Sequence, residues 1–429
     1  MRFFDAHCHV MNLSHPNLSA ILNRILDKVG FWKKASISAL ALFLWLPWGK
    51  KALTSVIESD DRIMNLLAIM ESDLGDFILQ MEEDLKERLW KAQPVVIGNN
   101  GDAVRYDKIV LTPLMMDFGL KNYGKYKTVY KVRRKTIEEQ MRDLLIGIRR
   151  YRAESKHRLF EVYPFMGLNT KNYGINSYGK TVELQVLLDK YFKNFDQDPT
   201  PKKRLERLNS FAWDEYQCDI DAVDSSPFLG IKLYPPLGFD PWPEDSAEEL
   251  GKVKFLYDYC VKKNIPVTSH CSDGGFLVDD SYLEFSSPAK WRKALSWKDP
   301  NTNTEPFRNL RLNLAHFGNQ EKSSWWRKKE WRDQVTELVC NYDNVYTDIS
   351  YRGGERIFYD ELKGYIKSHP PEKQDKLMQK IIFGSDFMIN LMSVDSYSTY
   401  LKHFATTSIF SADEKDLFCR QNPERFLFI

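Results

Sequence analysis

Eight short runs rich in β-branched and aromatic residues recur along the chain, bounded by Gly, Pro, Asn or Asp: Arg2–His9, Lys108–Met116, Leu159–Met166, Phe228–Tyr234, Ile265–His270, Leu310–His316, Asn344–Ser350 and Lys380–Asp386. Runs of this length and composition read as strands. Between them, apolar residues return at helical spacing. Ile137, Met141, Leu144, Ile148 and Tyr151 share one face, as do Leu250, Val253, Leu256 and Val261. Trp331, Val335, Leu338 and Val339 precede the seventh run; Leu362, Ile366 and Leu377 precede the eighth, interrupted at Pro370–Pro371. Strands alternating with helices predict an α/β protein with a parallel sheet, and eight such units predict a closed (β/α)8 TIM barrel.

A barrel needs about 250 residues, and this chain has 429. The surplus falls in insertions at 11–107, 169–226 and 271–309 of a single barrel spanning 1–429. Insertions after barrel strands stand over the C-terminal face, so these read as lid and pocket walls. The first contains one long amphipathic stretch from Ile63 to Leu89 and ends in a hairpin pattern, VVIGNNGDAVRY, with Asn100–Gly101 as its turn. Ile37–Trp48 carries no charge. Twelve residues span about 18 Å as a helix, short of a bilayer core of about 30 Å. Pro47 also breaks the run, so it reads as a buried or lid helix, and membrane contact is not expected.

Composition narrows the class. Hydrophobic residues at 43% and charged residues at 28% exclude a disordered or collagen-like chain. Lys and Arg number 61 against 59 Asp and Glu, a net of +2 that gives no electrostatic footprint for nucleic acid. The six cysteines are widely spaced with no CxxC, which suits a reducing compartment. The opening MRFFDAHCHV has no signal-peptide pattern, and a cytoplasmic location is the expectation.

Four of the eight histidines fall at predicted strand ends: His7 and His9 end the first, His270 the fifth and His316 the sixth. Asp386 ends the eighth. In a barrel these ends line the active site. Residues i and i+2 on a strand share a face, so His7 and His9 can reach one ion while Cys8 turns away. Imidazole nitrogens and a carboxylate suit zinc, and such a set leaves a position for water. Cys271 beside His270 turns from that face and is not taken as a nucleophile. Arg352, in ISYRGG, offers a planar fork for a carboxylate or phosphate, or else a surface ion pair. Tyr234 shares a strand face with Lys232 and lines the expected pocket. Asp273 is a pocket wall or a turn residue. His15, His157, His369 and His403 have no strand-end placement.

FDAHCHV, GIKLYPP, VTSHCSDGG, LNLAHFG, VYTDIS, IIFGSDFM and NPERFLF, in this order, resemble the amidohydrolase superfamily, in its amidohydrolase-related branch. The insertion at 11–107 departs from compact members. The resemblance implies that His7, His9, His270 and Asp386 hold metal, with Asp386 also handling a proton. It makes His316 a second ligand in two-metal members and a polarising or proton-transfer residue in one-metal members. Lys232 matches the lysine that two-metal members carboxylate; otherwise it binds a substrate carboxylate or pairs with Asp386. One Zn2+ is expected, two if Lys232 is carboxylated, with Mn2+ as a substitute. The implied reaction is attack of activated water on an amide, ester or lactone of a small carboxylate-bearing substrate. A non-oxidative decarboxylase fits the same ligands, and a barrel serving only as a binding or scaffold protein is the non-enzymatic alternative. Barrels of this branch resemble dimers, which implies a homodimer.

Overall fold

A computed structural model describes residues 1–15, 61–89, 95–97, 103–118, 136–174, 182–197, 200–210, 227–320 and 330–428. The Ile37–Trp48 run and the Asn100–Gly101 turn lie outside them. In chain order the main elements are β1 (Arg2–Cys8), α1 (Asp61–Glu71), α2 (Leu74–Arg88), β2 (Val95–Ile97), β3 (Val104–Tyr106), β4 (Lys108–Pro113) and α3 (Ile137–Glu154). Then come β5 (Phe160–Val162), β6 (Phe165–Gly167), α4 (Val182–Phe192), α5 (Pro201–Ser210), β7 (Gly230–Leu233), α6 (Ala247–Lys263), β8 (Val267–Ser269) and α7 (Pro288–Leu295). The chain continues with β9 (Leu312–Leu314), α8 (Glu330–Asn341), β10 (Val345–Asp348), α9 (Arg356–Lys367), α10 (Pro371–Met378), β11 (Ile381–Ile382), α11 (Tyr397–Thr406), α12 (Ala412–Asp416) and α13 (Asn422–Phe428).

The strands form two parallel ladders, β1-β4-β5 and β6-β7-β8-β9-β10-β11. Hydrogen bonds join them at both ends. β5 and β6 are one strand broken at Pro164, which has no N–H to give the ladder. Leu114 bridges to Phe165, and the Met115 amide donates to the Phe165 carbonyl at 3.2 Å. At the other edge Ala6 N–H donates to Phe383 O at 3.0 Å, and Asp386 N–H to His7 O at 2.7 Å. β11 therefore lies against β1, and eight strands close into the expected barrel. Phe4, Val110, Phe165, Leu229, Tyr346 and Ile382 pack with Phe426, Leu427 and Phe428. The C-terminal helix thus plugs one end of the barrel with apolar side chains, leaving polar residues for the other. Arg204 of α5 donates to Leu427 O at 3.3 Å, so part of the 169–226 segment lies at that plugged end.

Simple alternation fails in β1. Its pairing with β4 shifts register between Asp5 and Cys8. Phe4 and Ala6 join the plug, while Cys8 packs in the outer core. The irregularity lets His7 turn inward directly after Ala6. Below it, the Asp5 carboxylate faces the other way and accepts from Ser385 N at 2.9 Å and Tyr397 Oη at 3.0 Å.

The amphipathic stretch expected to run from Ile63 to Leu89 is two helices. The break is chemical: the Asp73 side chain caps α2 by accepting from Gly75 N at 2.8 Å and Asp76 N at 2.9 Å. The expected hairpin strands are present as β2 and β3, paired antiparallel from Val95 opposite Tyr106. The insertion leans on the rim of the barrel. Leu13 N donates to Met70 O at 3.0 Å, and the Phe77 ring lies 5.5 Å from Phe387, next to Asp386. Among the described residues no helix is long and apolar enough to cross a membrane.

Candidate metal centre

At the polar end of the barrel the chain leaves its strands through strained corners. His316, Phe317, Tyr351 and Asp386 have φ of 64°, 50°, 69° and 58°. Non-glycine residues seldom adopt this left-handed region, and it gathers at functional sites. Gly384 makes a further close approach possible, since a Cβ there would stand 2.6 Å from His7 Cβ.

Three side chains converge on one point. His7 Nε2 and His9 Nε2 lie 3.3 Å apart. Asp386 Oδ1 is 3.3 Å from the first and 3.1 Å from the second. Outer partners decide which imidazole nitrogens carry hydrogen. His7 Nδ1 faces Asp348 Oδ2 at 2.9 Å, and His9 Nδ1 faces Leu114 O at 2.7 Å. Both acceptors require Nδ1–H, so both Nε2 atoms present lone pairs to each other and to a carboxylate. Three acceptors facing one another, all buried, need a positive charge between them. A proton on His7 is one answer: burial opposes it, but Asp348 and Asp386 raise its pKa above the usual value. A divalent cation is the other. Ligands at about 2.0–2.1 Å in a tetrahedron stand about 3.3–3.4 Å from one another, and the three edges fit that spacing. The residues present therefore suit a metal ion.

Asp348, absent from the residues singled out by sequence, organises the centre. Besides His7 Nδ1 it accepts from Asn313 Nδ2 at 2.7 Å, His316 N at 2.9 Å, Ser350 N at 3.1 Å and the Ser350 hydroxyl. Burial alone would raise its pKa, but the charge and hydrogen bond of His7 hold it far below the usual carboxylate range. Asp386 is likewise held well below that range, against its burial, by His7 and His9. Asp348 stands at the C-terminal end of a predicted strand, the same signal that marked Asp386. Ser350 is the second omission. Its Oγ lies 3.1 Å from His7 Nδ1 and 2.9 Å from His316 Nδ1.

His270 and His316 stand beside the triangle rather than in it. His316 Nε2 is 3.1 Å from His270 Nδ1, and His270 Nε2 is 3.2 Å from Gly274 O. Burial keeps both rings neutral, lowering His316 to about 4 and His270 well below the usual value. Both line one cavity with His9, Asp386, Tyr234 and Tyr351. The Tyr234 hydroxyl accepts from Phe276 N at 2.9 Å. Gly275, at φ 98°, closes this wall; a Cβ there would meet Tyr234 Oη at 2.6 Å.

Lys232 is fully buried, and its Nζ has no hydrogen-bond partner. Burial lowers its pKa to about 8 despite the opposing pull of Asp348 and Asp386. Arg352 does not line the cavity with Tyr351; its Nη2 is 3.3 Å from Glu361 Oε2. Asp273 and Cys271 are buried beside His270, and burial pushes the Cys271 thiol pKa up. His15 pairs with Asp143 at 2.8 Å.

Fold and site together define a (β/α)8 barrel with a His–His–Asp group able to hold a metal ion at its strand ends. The amidohydrolase family model matches residues 214–429. The chain belongs to that family of enzymes. Solved structures similar to it include 4-oxalomesaconate hydratase from Rhodopseudomonas palustris, at 12% identity over 99% of this chain and 95% of that one, with a TM-score of 0.45. A probable 2-pyrone-4,6-dicarboxylic acid hydrolase from Acinetobacter baumannii, with citric acid bound, is similar at 13% identity over 100% and 99%, with a TM-score of 0.41. No curated protein matches the chain.

Proposed function

We propose that this protein is a metal-dependent hydrolase of a small substrate, with one Zn2+ held by His7, His9 and Asp386. The observation that carries this reading is the triangle of three facing acceptors, 3.1–3.3 Å on its edges. A cation there supplies Lewis acidity and lowers the pKa of water toward about 7. Asp348 sets the His7 ring and keeps its Nδ1 protonated. Asp386 handles the proton released when water attacks an amide, ester or lactone carbon. His316, neutral on the cavity wall, polarises the carbonyl or donates to the leaving group. His270 supplies a further ligand only if its ring leaves Gly274 O. Lys232 supports one ion in this reading, as a buried ammonium rather than a carbamate. Mn2+ would suit the same donors.

The test is metal content of protein purified without chelators, with the His7→Ala, His9→Ala double variant beside it. About one zinc per chain, lost in the variant, together with turnover of p-nitrophenyl esters or lactones, is the expected result. About two would make Lys232 a carbamate. CO2 release from aromatic carboxylates without ester or lactone turnover would replace hydrolysis by decarboxylation. No metal after reconstitution with zinc or manganese would overturn the proposal and favour a binding role.

A further inference from the structure

Two arginines on the rim of the barrel have too few partners for their placement. Arg352 follows Tyr351, which lines the catalytic cavity, and Arg332 packs against Phe317, which follows His316. The Arg332 guanidinium carbon is 5.9 Å from the Phe317 ring and 5.3 Å from the Tyr365 ring. That of Arg352 is 5.7 Å from the Phe358 ring. Both are partly buried, and in both the Nε–H is buried without a hydrogen-bond partner. Among the described residues the only ion pair of either is Arg352 with Glu361, a single contact at 3.3 Å to a side chain that is 48% exposed. The two charges also feel each other. Burial lowers the Arg332 pKa first, and the charge of Arg352 lowers it further.

This arrangement is costly by itself. Each buried unpaired N–H has lost its water without gaining a partner. Neighbouring like charges repel, and a guanidinium cannot escape by losing its proton. Aromatic faces offset part of the cost through cation–π attraction but satisfy no N–H. An oxyanion held by the two groups would offset this cost, because each planar fork can bind a carboxylate or phosphate through two donors. Glu361 offers Arg352 one weak contact of the same chemistry and is exposed enough to give way.

We propose that Arg332 and Arg352 form an oxyanion subsite on the rim of the catalytic cavity, taking a carboxylate or phosphate that the substrate carries away from its reacting bond. The role as a substrate subsite rests on the hydrolase reading above; binding of the anion does not. Glu361 then acts as an internal competitor.

The test is isothermal titration of the full-length protein with inorganic phosphate and with glutarate, in wild type and in R332M, R352M and E361Q. Each is run with and without zinc, so that failure of the metal proposal leaves this one measurable. Wild type should bind at least one of the two anions, and which one tells phosphate from carboxylate chemistry. R332M and R352M should each weaken binding about tenfold to a hundredfold, the worth of a lost charge-assisted contact. E361Q should tighten it. If R332M does not fold, as judged by near-ultraviolet circular dichroism, the more accessible R352M decides the matter with E361Q. The proposal is overturned if wild type binds neither anion, if the folded arginine variants bind as wild type does, or if E361Q weakens binding.

Discussion

Asp348→Asn is the sharpest single probe of the centre. The substitution preserves shape and removes only the second acceptor oxygen and the charge. In the wild type, Oδ2 receives His7 Nδ1 and Asn313 Nδ2, while Oδ1 receives His316 N, Ser350 N and the Ser350 hydroxyl. Whichever way the amide is placed, its NH2 meets at least two buried donors. An unsatisfied buried donor costs about 1–3 kcal/mol, so two cost roughly 2–6 kcal/mol before relaxation. The Ser350 hydroxyl can turn away, so the lower half of that range is expected. Loss of the partner that sets the His7 ring should also weaken metal binding about tenfold to a hundredfold. Stability is read by guanidinium unfolding of the metal-free protein, and affinity by competition with a chromogenic chelator. A variant that unfolds at the wild-type midpoint and binds zinc within about twofold of wild type would refute the orienting role.

Other variants separate the parts. In metal-free protein Lys232→Met should stabilise by up to about 3 kcal/mol at neutral pH, since burial depresses the amine to about 8 from 10.5. The sign follows from linkage: the depressed amine is penalised fully below pH 8, and the gain should fade as pH rises to 10.5. A gain that grows with pH in urea unfolding would contradict it. His316, lowered to about 4 from 6.5 chiefly by burial, contributes stability that is full above pH 6.5 and lost as pH falls through 4. His9 and His270 share that sign, whereas His7 and Asp5, which burial raises to about 6, oppose it, so the effect is read as a difference: the urea midpoint of metal-free His316→Gln should lose less between pH 6.5 and 4.5 than that of the wild type, and an equal loss would count against the burial of this ring. Gly275→Ala must push Tyr234 or His270 aside at a φ of 98°, and should cut turnover more than it shifts the melting midpoint. Glu82→Gln weakens a carboxylate that accepts from Tyr151 Oη at 2.5 Å, Ser155 Oγ at 2.6 Å and Leu159 N at 2.6 Å. It should cost about 1–3 kcal/mol and leave metal affinity unchanged, because it ties α2 to the barrel far from the triangle.

Strand positions were legible because a parallel barrel buries both faces of each strand, which concentrates β-branched and aromatic residues into short runs. All eight runs contain barrel strands, and their ends carry His7, His9, His270, His316 and Asp386 as expected. What escaped is what depends on tertiary neighbours. The inward turn of His7 comes from a register shift against β4, which no spacing within β1 encodes. The orientation of Arg352 is set by Glu361 on α9 and by the Phe358 ring. The split between α1 and α2 was available in principle, since Asp73 ahead of LGD is an N-cap pattern. Asp348 was available too, as a carboxylate ending a predicted strand.

Asp348 also bears on how many ions the site holds. It belongs to a second possible ligand group with His7 and His316. A ligand oxygen must keep a lone pair for the metal, yet both oxygens of Asp348 are already crowded by two or three donors. His7 can offer Nε2 to an ion only while its Nδ1–H stays on Asp348. Using Asp348 as a ligand would therefore cost the orientation of His7 at the first site. The crowding of Asp348 therefore supports the proposed single ion at the triangle, with Asp348 as the carboxylate that orients His7.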